Sequence, residues 1–165
     1  MWLVMMAIGL AAPGDRYGDS LLPGASQAVA APELLGTKDP FSWVVPTFEL
    51  SEGGAGTLML RLVVPTGTHV YRDGIEVNVT NAGGLVVGTP DLPPGIKLVD
   101  PGDPSNEVRE LYDHDVLVAI PVTAPAGATG LHTIALDLRH QGCKPGLCYA
   151  PVQTPIGALV HVKAP

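Results

Sequence analysis

Two cysteines, Cys143 and Cys148, are the residues of this 165-residue chain whose type and spacing are best suited to chemistry. They lie in the stretch RHQGCKPGLCYAPVQTP, with Pro145 and Gly146 between them, and the chain contains no other cysteine. A close cysteine pair can be a structural disulfide, a pair of metal ligands, or a redox pair that opens and closes its bond. The residues alone leave these three functions open.

The spacing of the pair limits how much a disulfide there would stabilise the fold. In the loop-entropy model, closing so short a loop contributes about 2 kcal/mol, against about 3 kcal/mol for a 15-residue loop. A bond that contributes little can be exchanged without unfolding the domain, which suits a carrier of electrons. The alternative is an extracytoplasmic binding module in which the disulfide braces a recognition loop.

Metal binding is the third interpretation, because His140 lies three residues before Cys143 and His69 and His114 occur elsewhere. The spacing of the cysteines is not C-x2-C, however, and no second cysteine pair is present, so the usual pattern of a structural zinc site is missing. A copper or other metal chaperone is retained as an alternative function. We expect no metal ligands and no cofactor at the pair.

The composition indicates which elements position the cysteines. The 20 glycines and 17 prolines, together with 15% charged residues, predict short strands joined by turns and little helix. The length is that of about one domain. A net charge of -7 without a basic cluster argues against a nucleic acid or an anionic membrane as partner.

The N-terminal residues predict export. The apolar run from Trp2 to Ala12 is too short for a membrane-spanning helix and has the length of a signal-peptide core. No Lys or Arg precedes it, and the best cleavage pattern is Ala28-Val29-Ala30; a buried strand or a retained anchor is the alternative. We expect residues 1–40 to be a signal-like segment and a flexible linker, and residues 41–165 to be the folded domain of an exported protein.

Alternating apolar and polar residues predict half-buried strands over the rest of the chain. Turn sequences such as NAGG, LPPG and PAGATG separate the runs, the pattern expected for an antiparallel β-sandwich. The cysteines are expected on a tight loop at one end of a sheet. Alternation predicts strands at Leu58 to Val64, Ile75 to Thr80 and Leu131 to His140. A continuous apolar run predicts a strand at Leu117 to Val122, and Ala158 to Val162 is the last predicted strand.

The stretch QGCKPGLCYAP resembles the active-site loop of the N-terminal periplasmic domain of DsbD, a transmembrane thiol:disulfide reductase. That loop has the form Q-G-C, a short insert with glycine, then C-Y-x-P. GTHVYRDGIEV is similar to the family's strand with an aromatic-x-Tyr-Arg motif, and RELYDHDVLVAIPV to its strand that leads to a Pro-Val end. The resemblance covers about Phe41 to Val162 and implies an all-β, immunoglobulin-like antiparallel β-sandwich.

The resemblance also implies a function, that of a thiol:disulfide oxidoreductase. Electrons would come from a thioredoxin-like donor on a separate membrane reductase chain. They would pass to periplasmic thioredoxin-fold acceptors such as a disulfide isomerase or a cytochrome c maturation protein. Cys148 would join these partners in mixed disulfides, and Cys143 would resolve them.

Several further residues are implied around the cysteines. His69 stands where the family has a tyrosine. The family's cap loop corresponds to the region from Pro101 to Glu110, which has no aromatic residue here, so we expect it to shield the cysteines poorly. Lys144 and a protonated His140 would favour a thiolate. The residues expected to surround the active site or contact partners are His69, Tyr71, Gly142, Gly146, Leu147, Tyr149 and Pro151.

Overall fold

The computed structural model describes residues 38–99 and 107–165. In these residues the one helical element is a 3-10 helix at Arg72–Gly74, and no helix is long and apolar enough to cross a membrane. The expectation of little helix is confirmed. The strands are β1 (Ser42–Val44), β2 (Phe48–Ser51), β3 (Ala55–Val63), β4 (His69–Tyr71), β5 (Glu76–Asn81), β6 (Val86–Val87), β7 (Ile96–Val99), β8 (Val108–Tyr112), β9 (Val116–Thr123), β10 (Gly130–His140), β11 (Gly142–Lys144), β12 (Leu147–Cys148) and β13 (Val152–Lys163).

The strands form three sheets, with strand orders β1-β3-β9-β6, β2-β13-β10-β5 and β12-β11-β4-β8-β7. Neighbouring strands are antiparallel, except that β2 runs parallel to β13. The first two sheets share one buried hydrophobic core. Each of the five strands predicted from the sequence corresponds to a strand of the structure.

The alternation places apolar side chains in that core. In β3, Leu58, Leu60 and Leu62 are each 0% exposed, whereas the residues between them, Met59 and Arg61, face outward. β10 contributes alternate buried residues from the second sheet in the same way. Burying a leucine side chain contributes roughly 1.5–3 kcal/mol, so the two long strands hold the sandwich together.

Strand β10, which contributes to the core, also leads to the cysteines. β10 ends at His140, and after Gln141 the chain continues as β11 in the third sheet. β11 pairs with β12 on one side and with β4 on the other. The predicted tight loop is therefore wrong in detail: the cysteines lie on two short hairpin strands. The turn between them includes Gly146 at φ +77°, a conformation that residues with a Cβ rarely adopt.

Two predicted segments lie outside the described residues. The first is residues 1–37, which contain the signal-like run and nearly all of the linker. The second is residues 100–106, which contain most of the predicted cap loop. The domain boundary at residue 41, the linker and the cap stay predictions.

Candidate functional site

Cys143 and Cys148 are joined by a disulfide and are directly opposite each other in the β11/β12 hairpin. Their exposure differs: Cys143 is 2% exposed, whereas Cys148 is an exposed residue. A molecule that approaches from solvent therefore reaches Cys148 first.

Two side chains from neighbouring strands bury Cys143. Tyr71 in β4 and Leu111 in β8 form a small buried cluster with it, and these two residues are directly opposite each other in the sheet. The sequence predicted Tyr71 as a site residue but missed Leu111. The strand that contains Leu111 is recognisable in RELYD. The face of this strand that lies toward the cysteines is set by the register between β4 and β8, which the sequence does not reveal.

His69 lies in the same row of the sheet as the two cysteines. In the register, His69 of β4 pairs with Cys143 of β11, and Cys143 pairs with Cys148 of β12. Directly opposite residues on antiparallel strands point to the same face, with their Cβ atoms about 4.5–5.5 Å apart. The half-buried imidazole also packs edge to face on Tyr71, with ring centroids 5.1 Å apart.

A groove of about 280 Å³ opens beside the hairpin. Its walls are mainly apolar, and Pro145 from the cysteine hairpin forms one side of it. The groove places apolar surface next to the disulfide, where a protein partner could make contact. Other lining residues are His69, Tyr71, Leu98, Leu111 and Asp113.

Arg109 in β8 packs on the ring of Tyr71 in β4. Its guanidinium carbon lies 3.7 Å from the ring centroid, a cation–π contact. One of its terminal nitrogens donates to both carboxylate oxygens of Asp73 at 2.9 Å. Arg109 was not predicted from the sequence, because no local pattern shows that this arginine lies over a tyrosine of another strand.

Gly142 and Tyr149 support the hairpin from the other side. The backbone N–H of Tyr149 donates to the carbonyl of Gly142 at 2.9 Å, and the Gln141 side-chain amide donates to the carbonyl of Tyr149 at 3.2 Å. A Cβ on Gly142 would meet the ring of Phe41 at 2.0 Å. The same ring packs edge to face against Tyr149, with centroids 5.9 Å apart. Glycine is therefore required at 142 because Phe41 lies on the backbone.

The other predicted site residues are exposed and close to the cysteines in sequence. Gly146 occupies the hairpin turn, and Leu147, which is 44% exposed, pairs with Lys144 across the hairpin. Pro151 is exposed between the hairpin and β13. These residues present surface beside Cys148.

His140 has a different environment from the one predicted. It is 3% exposed, its Nδ1 lies 3.2 Å from the indole nitrogen of Trp43, and its Nε2 lies 2.7 Å from a carboxylate oxygen of Asp39. An indole N–H can only donate, so Nδ1 accepts and Nε2 carries the proton that is donated to Asp39. The expected role beside the thiols is wrong, because both ring nitrogens are used inside the sandwich.

The chain is similar to known proteins. A family model described as the N-terminal part of the thiol:disulfide interchange protein DsbD matches residues 42–158. The chain belongs to this family. No curated protein matches it.

Two solved structures of DsbD N-terminal domains, both from Neisseria meningitidis, are similar to the chain. One, in complex with the N-terminal domain of PilB, is 25% identical with a TM-score of 0.51 and covers 79% of this chain and 91% of that one. The other, in the reduced form, is 27% identical with a TM-score of 0.46 and covers 66% of this chain and 77% of that one. The predictions of the family and of an immunoglobulin-like β-sandwich are confirmed.

Charged groups lie on the groove and on the cysteine hairpin of this DsbD N-terminal domain. A hydrogen bond between the side chains of His114 and Asp113, at 2.8 Å, lowers the pKa of the Asp113 carboxyl, so a carboxylate borders the groove. The ammonium of Lys144 lies 6.0 Å from the ring centroid of Tyr149. Within residues 38–99 and 107–165, no group of three or more His, Cys, Asp and Glu residues could hold a metal ion.

Proposed function

We propose that this chain is a periplasmic thiol:disulfide oxidoreductase that passes electrons from a thioredoxin-like donor, carried by a separate membrane reductase, to thioredoxin-fold acceptors. The observation that carries the proposal is the unequal exposure of the two cysteines, with Cys148 exposed and Cys143 2% exposed. Family membership supports the redox chemistry. The solved complex of a Neisseria DsbD N-terminal domain with a PilB domain supports a protein as the partner.

The exchange proceeds in two displacements. In the reduced domain, the thiolate of Cys148 attacks one sulfur of the acceptor's disulfide; a mixed disulfide forms, and the acceptor's other sulfur leaves as a thiolate. The thiolate of Cys143 then attacks the Cys148 sulfur, the mixed disulfide breaks, and the acceptor leaves as a dithiol. The acceptor gains two electrons, the domain is oxidised, and the donor's dithiol reduces it again by the reverse steps.

The surface around Cys148 suits a protein acceptor. Leu147 and Pro151 are exposed beside it, and the apolar groove adjoins the hairpin through Pro145. Together with His69, Tyr71 and the hairpin glycines, these residues form the proposed contact surface. A periplasmic location is part of the proposal, because stable disulfide chemistry needs a compartment outside the cytosol and the sequence begins with a signal-like apolar run.

Trapping of a mixed disulfide tests the proposal. The probe is a thioredoxin-fold protein whose buried active-site cysteine is replaced by alanine and whose exposed cysteine carries a thionitrobenzoate group. We expect reduced Cys143→Ala to form a lasting mixed disulfide with this probe through Cys148. Wild type should form the same adduct only transiently, and Cys148→Ala should form little.

Two results would contradict the proposal. Equal trapping by the two variants would remove the assigned roles of the cysteines. A reduction potential of the wild-type pair well below about -300 mV would favour a structural disulfide in a binding module.

A further inference from the structure

The row His69, Cys143, Cys148 crosses three neighbouring strands, β4, β11 and β12. Because the three side chains point to one face of the sheet, the imidazole lies on one side of the buried sulfur and the exposed cysteine lies on the other. The exchange steps proposed above use the two cysteines of this row, and His69 has so far entered only as part of the contact surface.

In the second displacement Cys143 must lose its thiol proton, and another group must accept that proton. The nucleophile in disulfide exchange is the thiolate, and burial in apolar surroundings disfavours a charged form. Cys143 is 2% exposed and packs against Tyr71 and Leu111. Its thiol proton therefore needs an acceptor within the protein when the sulfur attacks.

The charged groups around His69 come from the strands on both sides of it. β8 contributes Arg109, which stacks on Tyr71, and Asp113, the residue directly after β8, places its carboxylate at the same groove. β11 contributes Lys144, next to Cys143 in the chain. From β7 the groove receives the apolar Leu98 and Val99. Unlike Asp113, Arg109 and Lys144, His69 pairs directly with Cys143 in the sheet. An imidazole accepts a proton near neutral pH.

We propose, on the basis of the function proposed above, that His69 is the proton acceptor for Cys143 in the resolving step. The thiol proton of Cys143 passes to an imidazole nitrogen of His69 as the sulfur attacks the Cys148 sulfur. The bond between Cys148 and the acceptor breaks, and its electron pair leaves with the acceptor's sulfur. The imidazolium then gives its proton to that thiolate or to water, which restores neutral His69.

His140 does not compete for this role, although it is closer to Cys143 in sequence. Its Nδ1 accepts from Trp43 and its Nε2 donates to Asp39, so it has no free lone pair for a thiol proton. A tyrosine at position 69 would be a poor proton acceptor near neutral pH, because a phenol loses its proton and becomes a base only near pH 10.

Stopped-flow release of thionitrobenzoate from Ellman's reagent separates the two displacements. Attack by Cys148 on the reagent releases a first equivalent in a phase that depends on reagent concentration. Attack by Cys143 on the resulting mixed disulfide releases a second equivalent in a first-order phase. Cys143→Ala should show the first phase alone, which identifies the phases.

The test compares His69→Gln with wild type and with His161→Gln, a control substitution at an exposed histidine in β13. We expect His69→Gln to slow the second phase at pH 7 by about tenfold or more, and to change the first phase by less than about threefold. Its second phase should rise about tenfold per pH unit between about pH 6 and 8, whereas the wild-type phase levels off. Thermal melts of the reduced proteins check that the variants are folded.

The outcomes distinguish this inference from the function on which it rests. If His69→Gln resolves within about twofold of wild type with the same pH profile, His69 is not the proton acceptor, and the roles of the cysteines are unaffected. If Cys148→Ala retains the fast first phase, the proposed order of attack fails and the role of His69 fails with it.

Discussion

Trp43 donates its indole N–H to Nδ1 of His140 at 3.2 Å, across 97 positions of the chain. On the other side of the ring, Nε2 of His140 donates to Asp39 at 2.7 Å. The three residues join β1 and the short segment before it to the end of β10, next to the cysteine hairpin. This arrangement fastens the start of the described domain to the strand that leads to the cysteines.

Trp43→Phe should destabilise the domain by about 1–3 kcal/mol, because the buried Nδ1 of His140 loses its donor. Asp39→Asn should cost less, because the amide oxygen can still accept from Nε2. Urea unfolding of the oxidised proteins measures both changes. Neither variant should alter the resolving rate by more than about twofold; a larger loss in Trp43→Phe would mean that His140 takes part in the exchange after all.

Gly142→Ala should destabilise the oxidised domain by at least about 2 kcal/mol, because the new Cβ overpacks the Phe41 ring. In a Phe41→Ala background the same substitution should cost far less, so that the double-mutant cycle in urea shows strong coupling. Gly157→Ala is the control, since its Cβ meets only a methyl of Thr133, at 3.0 Å. Additive effects of the substitutions at 41 and 142 would refute the packing argument.

Reduced protein should react with iodoacetamide at Cys148 well before Cys143, by about tenfold or more in rate, because reactivity follows thiolate character and exposure. Mass spectrometry of peptides from Cys143→Ala and Cys148→Ala, sampled over time, gives the two rates separately. Rates within about twofold of each other would show that the burial of Cys143 is lost on reduction.

Stability should fall at alkaline pH partly through Tyr112. Burial raises the pKa of its phenol, and its hydroxyl donates to the carbonyl of Pro93 at 2.6 Å. The unfolded chain ionises this tyrosine near pH 10, so the contribution of the neutral phenol is complete below that pH and decreases as pH rises toward the higher folded pKa. Urea unfolding from about pH 8 to 11 should show a steeper decline for wild type than for Tyr112→Phe. Equal slopes would contradict this prediction.

The sequence predicted much of the fold because the core follows a local rule. Alternation in β3 and β10 was enough to place Leu58, Leu60 and Leu138 inside. The parallel pairing of β2 with β13 was not predicted, because β2 has four residues and too short an alternation to reveal its partner. The cysteine hairpin was predicted as a loop for the same reason.

The cysteine pair and its nearest neighbours were also recognisable from sequence, through the motif around Cys143 and Cys148. Arg109, Leu111 and Phe41 were missed as site residues. Arg109 and Leu111 reach the site through the register of a distant strand, and Phe41 reaches it by packing directly on the backbone of Gly142. Only the assembled sheets bring these residues together.

The disulfide closes a small covalent ring within a single hairpin. The bond links residues five positions apart, so the ring it closes contains only hairpin residues and no other strand passes through it. With two cysteines in the whole chain, a wrong intramolecular pairing does not exist. Oxidation of the reduced domain can therefore form one intramolecular disulfide and no other, so the native connectivity is recovered without scrambling.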